Sequence, residues 1–98
     1  MKYLLLYIGP ATPPNASHEG WANWFSKLGD ALVDQGSPIV PRGTVMHSDG
    51  SITTSAVSLN GYSVIKAEDE KEALEMINDH PYLRLGGGYT IQVFARER

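Results

Sequence analysis

Lys2-Tyr-Leu-Leu-Leu-Tyr-Ile8 is the stretch that decides the fold. Both of its alternating rows are apolar, with Tyr3, Leu5 and Tyr7 on one side and Leu4, Leu6 and Ile8 on the other. A strand of this kind belongs in the middle of a sheet that is covered on both faces. Near the other end of the chain, Tyr89-Thr-Ile-Gln-Val-Phe-Ala95 alternates as a last strand, and Tyr62 to Ala67 reads as another. Two segments between these strands have helical periodicity. In the first, Ser17 is a suitable N-cap and Glu19 suits the positive end of the helix dipole. Trp21, Trp24, Phe25, Leu28 and Leu32 then recur at helical spacing, and Gly36 and Pro38 are expected to end the helix. In the second, Asp69 and Glu72 approximate a capping box. Ala73, Leu74, Met76 and Ile77 form its apolar face, and Asn78 to Pro81 end it.

Ile39 to Met46 is expected to be an irregular edge strand, interrupted by Pro41 and Gly43. Asp49-Gly50 and Asn60-Gly61 are turn signals, and Ser51 to Ser58 reads as a weak strand or a loop. The order is βαββαβ, the ferredoxin-like α+β arrangement with an antiparallel sheet. Two helices cover only one face of such a sheet. The second face is expected to pack against another copy, making a dimeric α/β barrel. Residues 1–98 are room for a single domain.

Composition narrows the function classes. The net charge of −3 and the scattered basic residues argue against a nucleic-acid surface. The absence of cysteine excludes disulfides, thiolate metal sites and cysteine nucleophiles. The apolar run from Tyr3 to Ile8 is too short to span a membrane, so a soluble, cytoplasmic protein is expected. No HExxH or His-x-His pattern is present, and no metal or other cofactor is expected. Gly86-Gly87-Gly88 precedes a strand rather than a helix, so it reads as a turn and not a phosphate loop.

Several pieces, taken in order, resemble the YCII-related family, which includes proteins carrying a DGPF motif. They are the opening Met1 to Gly9, the Trp-Phe helix followed by Asp34-Gln-Gly36, Leu59-Asn-Gly-Tyr62, the acidic-start helix from Glu68 to Asp79, His80-Pro-Tyr82 and Tyr89 to Phe94. The resemblance covers nearly the whole chain. It implies a dimeric ferredoxin-like barrel, and for some relatives small-molecule chemistry such as dehydrochlorination through a His-Asp pair. Asp34 stands where that family's aspartate stands. Trp24 or Phe25 occupies the place of the helical histidine, and the DGPF segment itself is replaced by Ser55 to Asn60.

Four residues are the candidates for a ligand-binding cleft between the first helix and the sheet: Tyr7, Trp24, Asp34 and His80. Tyr7 ends a central strand, where a phenol reaches a cleft. Trp24 serves equally as core or as pocket wall, whereas Trp21 and Phe25 are expected in the core. His80 titrates near neutrality and is a candidate acid or base, although a partner for the last helical carbonyls is the simpler role. Asp34 and Asp30 fall one helical turn apart, an arrangement that raises one carboxyl pKa but more often marks a solvated face. His47 with Asp49 lies at a turn, and His18 lies in the first helical turn. The expected function is a homodimeric domain binding a small organic molecule. The rivals are an acid-base enzyme, either an isomerase or a dehydrochlorinase-like eliminating lyase using His80 or Asp34, and a non-catalytic interaction module.

Overall fold

The computed structural model describes residues 1–12 and 18–96. The expected cap at Ser17 and the side chains of His18 and Glu19 lie outside the described residues. The chain runs β1 (Lys2–Ile8), α1 (His18–Leu28), β2 (Leu32–Pro38), β3 (Thr44–Met46), β4 (Ile52–Thr54), β5 (Leu59–Lys66), α2 (Glu70–Ile77) and β6 (Thr90–Ala95). Short 3-10 turns follow α1, at Gly29–Ala31, and precede the last loop, at Pro81–Arg84. Four strands form one antiparallel sheet in the order β2-β5-β1-β6. This is the ferredoxin-like arrangement, with β1 and β5 central. The strands β3 and β4 form a separate hairpin.

One row of β1, Tyr3, Leu5 and Tyr7, is buried beneath the helices together with Ile65, Trp24, Ala73, Ile77 and Tyr82. The other row, Leu4, Leu6 and Ile8, is only half-buried, and Phe94 beside it on β6 is 50% exposed. The helix α2 begins as its sequence requires. Asp69 accepts from the Glu72 N–H at 2.9 Å, and Glu72 reaches back to the Glu68 N–H at 3.2 Å.

The first helix is shorter than its apolar spacing suggests. It ends at Leu28 because Gly29 takes a left-handed φ of +53°, the usual helix-terminating conformation of glycine. Leu32 continues the helical spacing only by coincidence and opens β2. The second strand is therefore Leu32–Pro38, not Ile39 to Met46, and Asp30 and Asp34 do not share a helical face. Gly36 does not cap a helix. It sits in a bulge of β2, where Asp34 pairs with Val64 and Ser37 with Tyr62, leaving one extra residue in β2. Its φ is +79°, and a Cβ there would lie 1.6 Å from the Tyr62 carbonyl oxygen. Asn60-Gly61 is likewise no turn. Tyr7 pairs with Gly61 and Ile8 with Leu59, so Asn60 is the extra residue of a bulge inside β5.

Candidate functional site

The bulges in β2 and β5 open the sheet beside α1. The resulting cleft, of about 330 Å³, is walled by Tyr7, Trp21, Phe25 and Tyr82, with Gln35, Gly36, Asn60 and Tyr62 among its other residues. A broader depression beside Glu70, Leu74 and Asn78 is formed by the outer face of α2 alone and encloses little. The cleft is the better candidate, because it is concave, mostly apolar and built from several elements.

Behind its floor lies a buried chain of hydrogen bonds. The turn at Pro81 sets its direction. Pro81 has no N–H, so the first donor of the following 3-10 turn is the Tyr82 N–H, which donates to His80 Nδ1 at 3.0 Å. A neutral imidazole that accepts at Nδ1 carries its proton on Nε2. His80 Nε2 therefore donates to the Tyr7 phenol oxygen, 3.1 Å away. Tyr7 donates to Ser63 Oγ at 2.8 Å, and Ser63 donates to the Gln35 carbonyl at 2.8 Å. The β2 bulge brings that carbonyl within reach of Ser63.

Burial sets the charge of this cluster. His80 is fully buried. Desolvation pulls its pKa down to about 4, against a smaller opposing effect of the Asp79 charge. Asp79 itself pairs with Lys27 of α1, which holds its carboxyl below the usual range. Desolvation likewise pushes the Tyr7 phenol up to about 12, only partly offset by the Ser63 hydrogen bond. At neutral pH both groups are uncharged. His80 is packed among rings, 4.1 Å from Trp24, 4.6 Å from Trp21 and 5.0 Å from Tyr7, centroid to centroid.

The four candidates thus occupy different places. Tyr7 lines the cleft. His80 stands behind it: its imidazole holds Tyr7 and the Tyr82 N–H, and its backbone N–H, not its side chain, donates to the carbonyl of Ile77 at the end of α2. Trp24 is 4% exposed, donates through Nε1 to the Met76 carbonyl at 3.3 Å, and lies behind the cleft wall. Asp34 is exposed, is absent from the cleft lining, and accepts the Gly36 N–H at 2.8 Å. His47 is on the exposed hairpin, hydrogen-bonded to Thr53 at 2.9 Å. Among the described residues no three side chains of the metal-binding types come together.

Sequence reasoning placed Trp21 and Phe25 in the core and passed over Ser63 and Tyr82. It read Asn60 as a turn residue. In the bulge, Asn60 Nδ2 faces the Gly9 and Pro10 carbonyls, at 3.2 and 2.8 Å, and the Tyr82 hydroxyl, at 2.9 Å. It thereby ties the segment after β1 to the edge of the cleft. An Asn-Gly pair inside an otherwise extended segment was the available signal, because a bulge and a turn favour the same residues.

No family model and no curated protein sequence matches the chain. Among solved structures, one similar fold is the 5-chloro-2-hydroxyhydroquinone dehydrochlorinase of Burkholderia phenoliruptrix AC1100, in complex with 2,5-dihydroxybenzoquinone. The match has a TM-score of 0.63 at 13% identity and covers 99% of this chain and 94% of that one. At that identity the likeness establishes the shared α+β fold. No helix among the described residues is long and apolar enough to cross a membrane.

Proposed function

We propose that this chain is a YCII-like, homodimeric, cytoplasmic domain that binds a small planar organic molecule in the cleft between α1 and the bulged strands β2 and β5. One observation carries the binding reading: an aromatic-walled cleft of about 330 Å³ has on its floor a phenol held by a buried hydrogen-bond chain. The volume suits a molecule of one or two rings, since ligand pockets start near ~300 Å³. The dehydrochlorinase of the same fold, in complex with a hydroxylated ring compound, supports the same class of ligand. The half-buried row of Leu4, Leu6 and Ile8, with exposed Phe94 alongside, supports pairing of two sheets.

A second reading, an acid-base enzyme of the isomerase or eliminating-lyase kind, is favoured by the buried imidazole bonded to the cleft phenol. Binding ranks first because both groups are held neutral and neither is poised as a base near pH 7. Native mass spectrometry, followed by titration with hydroquinone, tests the proposal. A dimer that takes up one hydroquinone per chain supports it, with binding weakened in Trp21→Ala. A monomer overturns the pairing, and absence of uptake overturns the cleft.

A further inference from the structure

Beyond β1 the chain leaves the sheet. The Gly9 N–H donates to the Ser58 carbonyl at 3.0 Å, and no further backbone-to-backbone bond holds Pro10, Ala11 or Thr12 among the described residues. Thr12 nevertheless forms part of the cleft lining. Side chains hold this rim instead, through the carbonyls of three consecutive residues. Asn60 Nδ2 donates to the Gly9 and Pro10 carbonyls, at 3.2 and 2.8 Å, and the Tyr89 hydroxyl donates to the Ala11 carbonyl at 3.2 Å. The Gly86-Gly87-Gly88 turn places that hydroxyl. The Tyr89 N–H closes the turn on the Gly86 carbonyl at 3.2 Å, and Gly86 takes a φ of +148°, which favours glycine. The Tyr89 ring packs edge-on against Tyr82, 5.4 Å between centroids, and so close to Gly9 that a Cβ there would meet it at 2.8 Å. Tyr89 itself is absent from the cleft lining.

Resting on the binding reading above, we infer that Tyr89 and Asn60 are positioning residues of the ligand site, which clamp the rim at residues 9–12 so that Thr12 is already in place when the ligand enters. A rim fixed beforehand loses no conformational freedom on binding. With a clamp removed, binding itself must order the rim, and affinity falls by up to the strength of the lost bond. Tyr89 is the discriminating member of the pair. It holds the rim from outside the cleft, whereas Asn60 both holds the rim and lines the cleft.

The test is hydroquinone affinity, followed by ligand-observed NMR on the whole chain, in Tyr89→Phe. This variant keeps the ring contacts and removes only the hydroxyl, and circular dichroism checks its fold. Affinity is expected to fall by about fivefold, the effect of one hydrogen bond. Thr53→Val breaks another exposed bond, to His47 on the hairpin, and is the control: it should bind as the unaltered chain does. In an Asn60→Ala background the Tyr89→Phe loss should shrink to less than about twofold, because a rim already released has no clamp left to lose. Unchanged affinity in Tyr89→Phe, an equal loss in Thr53→Val, or a full fivefold loss in the Asn60→Ala background overturns this inference and leaves the cleft standing. Absence of hydroquinone uptake by the unaltered chain overturns the cleft and this inference together.

Discussion

Gly36 shows how a single backbone position supports both the fold and the cleft. Its left-handed conformation makes the β2 bulge possible, and the bulge brings the Gln35 carbonyl to Ser63. Gly36→Ala would place a methyl group inside the Tyr62 carbonyl as well as strain φ. We expect a loss of about 3 kcal/mol or more, read from urea denaturation. Gly87→Ala, where an added Cβ meets nothing within 4 Å, is the control and should change stability by less than about 0.5 kcal/mol. At this scale the sequence was legible where a side chain's own chemistry decides its role. Tyr7 at the end of a central strand was readable as a phenol near a cleft. The role of His80 was not, because it depends on Ser63, Tyr7 and Trp24, which lie far from it in sequence and meet it only after folding.

The hairpin β3–β4 stands apart from the sheet. Its strands pair Thr44 with Thr54 and Met46 with Ile52, and every residue in both strands is exposed. It contributes no residue to the buried core. Gly43 and Ser55 close its base through a 2.8 Å backbone hydrogen bond, so a two-residue turn can span them. Replacing residues 44–54 by Asn-Gly is expected to leave the far-ultraviolet spectrum of the remaining fold intact and to shift stability by less than about 1 kcal/mol. A collapse of the thermal transition would show that the hairpin supports the sheet. The strands β1 and β6 and the helix α2 were legible because periodicity and the residues bounding each agreed, whereas β5 was legible only from Tyr62 onward, since Asn60-Gly61 reads as a turn and hides its start at Leu59. The segment from Leu28 to Met46 was misread because Leu32 preserves a helical spacing after Gly29 has already ended the helix. A glycine at a helix end and a glycine in a bulge carry the same sequence signal, and only the pairing of β2 with β5 separates them.

The buried cluster gives the whole molecule a predictable response to pH. The His80 pKa falls from 6.5 to about 4 on folding, so the unfolded chain binds the extra proton between those values. The stability contributed by neutral His80 is complete above the unfolded value and declines as pH falls toward 4. Tyr7 acts in the opposite direction. Its pKa rises from 10.0 to about 12, so its contribution is complete below 10 and declines as pH rises above it. Urea midpoints measured from pH 4 to pH 12 should therefore form a plateau between two shoulders, to which His80 and Tyr7 each contribute about 3 kcal/mol at most, with Tyr3 and Tyr82, whose phenols burial also pushes up, adding to the alkaline one. In Tyr7→Phe the alkaline shoulder should shrink, and an unchanged shoulder would assign it to other tyrosines. The two helices cover one sheet face, as their number in the sequence required. For the other face, one chain's sequence supplies only the apolar row of Leu4, Leu6 and Ile8.

We propose that the ligand enters between α1 and the bulged strands. Titrating hydroquinone into isotopically labelled protein and following amide and indole correlations tests it directly. Movement is expected at the Trp21 indole, Gly36, the Asn60 side-chain amide and Gly61, with Glu70 to Asn78 and the hairpin unchanged. Movement confined to the outer face of α2, or none at Trp21 and Gly61, would contradict it.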